Sequence, residues 1–123
     1  MKVKLPIQKK EFVKGKLEKK VKYVEFELDF SLASQMRFEK KFPEMAQNED
    51  LYGYSSRILS VKELTVGKLL SELKLFYCWL DTDLEFIDFL KMIDLTDEEY
   101  VKDFVKCVQE SFDLILSSSA EKN

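Results

Sequence analysis

V-G-K-L-L-S-E-L-K-L-F-Y-C-W-L, residues Val66 to Leu80, holds one Gly, no Pro and three charges. Leu69, Leu70, Leu73, Phe76, Tyr77 and Leu80 recur at spacings of one, three and four, the face of a 3.6-residue helix. Leu75, Cys78 and Trp79 widen that face until the last two turns are apolar almost all round, and a helix of that kind belongs inside a bundle. The stretch is too short to span a bilayer, and Lys68, Glu72 and Lys74 interrupt it. The expectation is a mainly α fold: a compact bundle of about five helices around this buried central helix, with a small N-terminal β-hairpin or strand.

Working outward, residues 23–30 read Tyr-Val-Glu-Phe-Glu-Leu-Asp-Phe. Val24, Phe26, Leu28 and Phe30 fall on one side of a period-two pattern and acids on the other, as in a strand buried on one face. Val3, Leu5 and Ile7 alternate likewise, and Lys14-Gly15-Lys16 is placed to turn the chain between the two runs. A lone hairpin is marginal in water, so this one must lean on the helices. Ser31 is an N-cap candidate for a helix running to about Phe42, where Pro43 stops it. Leu51 to Leu59 is a further helix, Ser60 to Thr65 a connection, and Thr65 is placed to cap the central helix. Asp83 is placed to cap a helix over Leu84 to Ile93. Thr96-Asp-Glu-Glu99 reads as a capping box for a last helix striped by Tyr100, Val101, Phe104, Val105, Val108, Phe112, Ile115 and Leu116. The chain reads as one domain over 1–123, with a basic extended arm at 1–22 and a flexible tail at 117–123.

Of the 123 residues, 46% are apolar and 35% charged, a globular composition. Cys78 and Cys107 sit inside apolar helical patterns and read as reduced thiols. With no His and no ligand-like Cys spacing, no metal and no cofactor are expected. The three glycines are isolated, so no phosphate loop is present. Asp81-Thr82-Asp83 reads as a helix boundary rather than a cation site. No general base suited to neutral pH stands beside a nucleophile, and no enzyme activity is expected. The N-terminus lacks the apolar run of a signal peptide, so the chain is expected to stay in the cytoplasm where it is made.

The net charge of −3 is uneven: residues 1–22 carry nine Lys against Glu11 and Glu18, a net +7. A basic arm of this kind supports a nucleic-acid-binding or regulatory alternative. Against it, the arm has no Arg, and its one aromatic residue, Phe12, makes no stacking platform of rings interleaved with the lysines. The chemistry left over is apolar and aromatic surface on helices, suited to binding another chain. Phe38, Phe42, Tyr52, Tyr54, Phe76 and Trp79 are the candidate partner-binding residues.

At Phe26 to Pro43, F-E-L-D-F-S-L-A-S-Q-M-R-F-E-K-K-F-P resembles the opening of the tail assembly chaperones of long-tailed phages of Gram-positive hosts. Phe38-Glu39-Lys40-Lys41-Phe42-Pro43 corresponds to the aromatic–acidic–basic–Phe-Pro signature that ends the first helix there. The resemblance continues through L-L-S-E-L-K-L-F-Y-C-W-L at 69–80 and past Asp94-Leu95 into the last helix, covering residues 23–123. It implies a helical, self-associating, non-catalytic late protein of the host cytoplasm, absent from the mature virion. Such a protein presents apolar crevices to helices of the tape measure protein until tail tube subunits polymerise around it. Genes of this family often extend their product by a ribosomal slip, and Lys122-Asn123 suits an adenine-rich codon pair.

Overall fold

The computed structural model describes residues 1–63 and 65–121, with side chains described to Ser117. The expectation for Lys122 and Asn123 lies outside the described residues. Strands β1 (Lys2–Val13) and β2 (Lys16–Glu27) form a two-stranded sheet. Six helices follow among the described residues: α1 (Ala33–Lys41), α2 (Pro43–Ala46), α3 (Leu51–Ser60), α4 (Val66–Trp79), α5 (Phe86–Leu90) and α6 (Glu98–Glu121).

The chain divides into two compact units. The first is Glu27–Phe86 with Met1; the second is Lys2–Phe26 with the chain from Ile87 onward. This corrects the expectation of one compact bundle around a central helix. The chain is 53% helix and 22% strand, a mainly α fold with an N-terminal antiparallel hairpin and, among the described residues, six helices. The period-two run continues through residues where lysines replace apolar side chains, so the strands reach twelve residues each. Helix α4 organises only the first unit. The stripe on α6 is taken by β1, which α6 packs against.

In the first unit α4 buries Leu69, Glu72, Leu73, Leu75, Phe76, Tyr77, Cys78 and Trp79, and packs with α1 and α3. Thr65 caps it, its side chain accepting from the Lys68 N–H. Phe38 of α1 stacks on Tyr54 of α3 at 5.7 Å between centroids. The Tyr54 hydroxyl donates to the Ser71 carbonyl at 2.6 Å, which gives the buried phenol a partner. At the end of α4, Arg37 donates from Nε to the Cys78 carbonyl at 2.7 Å and from Nη2 to Asp29. A guanidinium on an unpaired C-terminal carbonyl also meets the negative end of the helix dipole. Leu28 bridges to Leu80, and the Asp29 N–H donates to the Trp79 carbonyl at 2.7 Å.

In the second unit Lys14 and Gly15 have φ of +53° and +79°, the two positive values of a type I′ hairpin turn. Val13 faces Lys16 across this turn, and at the open end the Leu28 N–H donates to the Met1 carbonyl. Both fit one register with no bulge. Hydrogen-bonded and non-bonded positions alternate along an antiparallel pair. The Met1–Leu28 bond therefore fixes odd residues of β1 and even residues of β2 as the bonded ones. Pro6 falls on the unbonded set, so its missing N–H costs the ladder nothing. Its carbonyl points away from β2 and accepts from the Tyr100 hydroxyl at 2.7 Å. Val3, Leu5 and Ile7 are buried, as are Tyr100, Phe104, Val108 and Phe112 at four-residue spacing on α6. Phe26 meets Phe89 edge-on at 5.9 Å.

Several helix ends differ from expectation. Ser31 does not occupy the cap position of α1, which falls on Leu32, although its hydroxyl accepts from the Ala33 N–H. The capping box at Thr96–Glu99 does not form. Thr96 gives its hydroxyl to Asp94, and the Asp97 carboxylate accepts from the Tyr100 N–H instead. α5 is shorter than the expected Leu84–Ile93, and α6 continues through Ser117 to Glu121. Phe30, expected on the buried side of the strand, is 46% exposed because β2 has ended at Glu27.

Two substitutions test this arrangement. Tyr100→Phe strands the Pro6 carbonyl and should lower stability by about 1–3 kcal/mol in chemical denaturation. Gly15→Ala meets no atom within 4 Å, so its cost is conformational alone and should be about 1 kcal/mol.

Candidate interaction surfaces

The structure sorts the six aromatic candidates sharply. Phe38, Tyr54, Phe76 and Trp79 lie inside the first unit. Phe42 is half-buried, edge-on to Tyr77 and Phe86 at 6.2 and 5.2 Å. Only Tyr52 stands in solvent, at 82% exposure. Sequence periodicity could not make this distinction. Phe38 and Tyr54 sit where α1, α3 and α4 converge, whereas Tyr52 lies two positions from Tyr54 and so on another face of α3. The four buried rings are corrected from contact residues to core residues.

Other apolar side chains take the outward positions. On α1 and its cap, Leu32 and Met36 are 83% and 70% exposed, one turn apart on the face opposite buried Ser34 and Phe38. The side chain of Gln35 accepts from the Leu51 N–H at 2.8 Å, which holds the start of α3 against α1. Leu32, Met36 and Tyr52 thus stand outward on two packed helices. The sequence analysis missed Leu32 and Met36. The available signal was their i, i+4 spacing opposite the Ser34–Phe38 face.

The hairpin carries a second exposed set in the second unit. Phe12 is 79% exposed, and Leu17, Val21 and Tyr23 more than half exposed. In the observed register all four are on the same face of the sheet. Nearby, Gln8 and Lys10 on β1 and Lys19 on β2 reach a pair of carboxylates. Gln8 Nε2 donates to Asp94 and Asp97, Lys10 pairs with Asp94 at 3.1 Å, and Lys19 pairs with Asp97 at 2.9 Å. Lys10 also contacts Thr96 Oγ1. The Thr96 hydroxyl and N–H, followed by Gln8 and Lys10, hold the Asp94 carboxyl well below the usual carboxylate range. Lys19 and the Tyr100 N–H lower Asp97 in the same way.

An open recess lined by Lys9, Lys91, Ile93 and Leu95 adjoins this clasp. The clasp's polar groups satisfy one another, so they offer neither a nucleophile with a base nor a ligand set. Among the described residues no group of three or more potential ligands is placed to hold a metal ion, and no helix is long and apolar enough to cross a membrane. Cys78 is buried in α4, and burial pushes its thiol up to about 12, which leaves it unreactive near neutrality.

The clasp predicts an acid limb. Asp94 and Asp97 have depressed folded-state pKa values, so their contribution is complete above the unfolded carboxylate value of about 3.9 and is lost as pH falls through the folded values. Denaturation midpoints should fall steeply from about pH 4 downward. Asp94→Asn should lower the neutral midpoint and flatten that limb. An unchanged acid slope would contradict the assignment.

Comparison with protein-family models, curated proteins and solved structures finds no match to this chain in any of the three.

Proposed function

We infer that the chain is a non-catalytic tail assembly chaperone that covers apolar helical segments of the tape measure protein in the host cytoplasm. The observation that carries the reading is the outward placement of Leu32, Met36 and Tyr52 on two packed helices. Leaving three large apolar side chains in water gains nothing for the fold, while a helix with an apolar stripe would cover them. The motif order over residues 23–123 supplies the identity of the client. An unassembled tape measure exposes such stripes along its length, and many copies side by side would act through avidity.

The hairpin's lysines lend less to a nucleic-acid reading than their number suggests. Lys10 and Lys19 are engaged by Asp94 and Asp97, and Lys20 by Glu11. Phosphate binding would first have to displace these carboxylates.

The test is co-expression with a tape measure protein. The chain should carry that product into the soluble fraction. Leu32→Asp, Met36→Asp and Tyr52→Asp should each keep folding stability within about 0.5 kcal/mol, because the sites are exposed. Each should weaken client binding by about tenfold or more, as loss of an interface anchor does. Undiminished solubilisation by the triple variant would refute the assignment of this surface. Failure of the native chain to solubilise any tape measure segment would refute the function.

A further inference from the structure

The tip of the hairpin lies beyond what covers the sheet. In the observed register Phe12 faces Leu17 one step from the turn, in a non-hydrogen-bonded pair, where cross-strand side chains come closest. Both are exposed, Phe12 at 79%. The next pair on the same face is Lys10 and Lys19, which Asp94 and Asp97 hold at the start of α6. Every residue from Lys14 to Tyr23 is exposed.

The tip combines apolar surface with unspent positive charge. Residues 9–22 hold seven Lys against two Glu, and Asp94 and Asp97 neutralise two of those lysines, which leaves a net +3. Among the described residues neither Lys14, on the turn, nor Lys16, beside it, pairs with a carboxylate. Glu11 and Glu18 stand opposite one another on the reverse face of the sheet, away from Phe12 and Leu17.

An occupant that satisfies both features is anionic and apolar at once. We propose that the hairpin tip docks on an anionic phospholipid bilayer. Phe12 and Leu17 enter the boundary between headgroups and acyl chains, and Lys14 and Lys16 meet lipid phosphates. Interfacial binding grows with the apolar area buried and with the attraction of cations to anionic lipid. The flexible lysine stems let the ammonium groups stay at headgroup level while the apolar pair goes deeper. A tip exposed on both faces offers no groove for a helix, and a helix laid along the Phe12 face would meet the clasp at Lys10 and Lys19. Nucleic acid would use the lysines and leave the apolar pair in water. The contact is peripheral and spans nothing. The inference rests on the second unit alone and stands whether or not the chaperone reading does.

The experiment is co-sedimentation of the full chain with vesicles of phosphatidylglycerol and phosphatidylcholine, and with vesicles of phosphatidylcholine alone. Binding should be about tenfold or more tighter to the anionic vesicles, and should weaken as salt rises. Lys14→Ala and Lys16→Ala should each weaken it about fivefold, the effect of one lysine at an anionic surface. Lys106→Ala, which removes the same charge from α6, should leave it unchanged. Phe12→Asp alters an exposed site, so the fold is kept, and binding should fall about tenfold or more. Phe12→Trp should show a blue-shifted emission on anionic vesicles, a readout that lysine adhesion alone would not move. No binding to anionic vesicles would overturn the proposal. So would vesicle binding that Phe12→Asp leaves unchanged with no shift in Phe12→Trp. Tight binding of duplex DNA by a chain that ignores the vesicles would overturn it too, and would assign the lysines to nucleic acid.

Discussion

One helix can cover one strand of a two-stranded sheet, and here the strand it covers is β1. A hairpin alone does not bury enough to hold together in water. Val3, Leu5 and Ile7 find cover in the second unit, where α6 packs against their strand through the stripe from Tyr100 to Phe112. The Tyr100–Pro6 hydrogen bond and the Asp94/Asp97 clasp fix this unit's geometry. The strand left over, β2, is exposed from Lys16 to Tyr23. Its free edge and its exposed Val21 and Tyr23 follow directly from where α6 is spent.

The first unit follows a different logic. Helix α4 is apolar nearly all round, and its rings, with those of α1 and α3, form a closed interior. Phenol hydroxyls are satisfied by carbonyls, Tyr54 by Ser71 and Tyr77 by Leu84. Burial pushes the Tyr54 phenol up to about 12. The most exposed apolar groups of this unit are Leu32, Met36 and Tyr52, with Val66 next.

Local patterns were legible where one force dominated. The strict alternation of residues 23–28, the Lys14–Gly15 turn and the Thr65 cap each rest on short-range chemistry and are present. What could not be read was partnership. The α6 stripe is equally good at covering a helix or a strand, and only the tertiary arrangement gives it to β1. The aromatic candidates failed for a related reason. Phe38, Tyr54, Phe76 and Trp79 are as apolar as any docking residue, and burial depends on which helices converge on them. At Thr96–Glu99 one local signal lost to another, because Asp94, two residues before, took the threonine hydroxyl and left the helix end to Asp97.

The central claim is that apolar side chains left outside both interiors are the chain's binding chemistry. Titration of the chain with a synthetic helix carrying one apolar stripe, repeated at low and high salt, tests it most directly. Apolar docking should hold or tighten as salt rises, because burial of apolar surface strengthens under those conditions. Affinity that collapses with salt, alongside tight binding of nucleic acid at low salt, would assign the activity to the hairpin lysines and contradict the account.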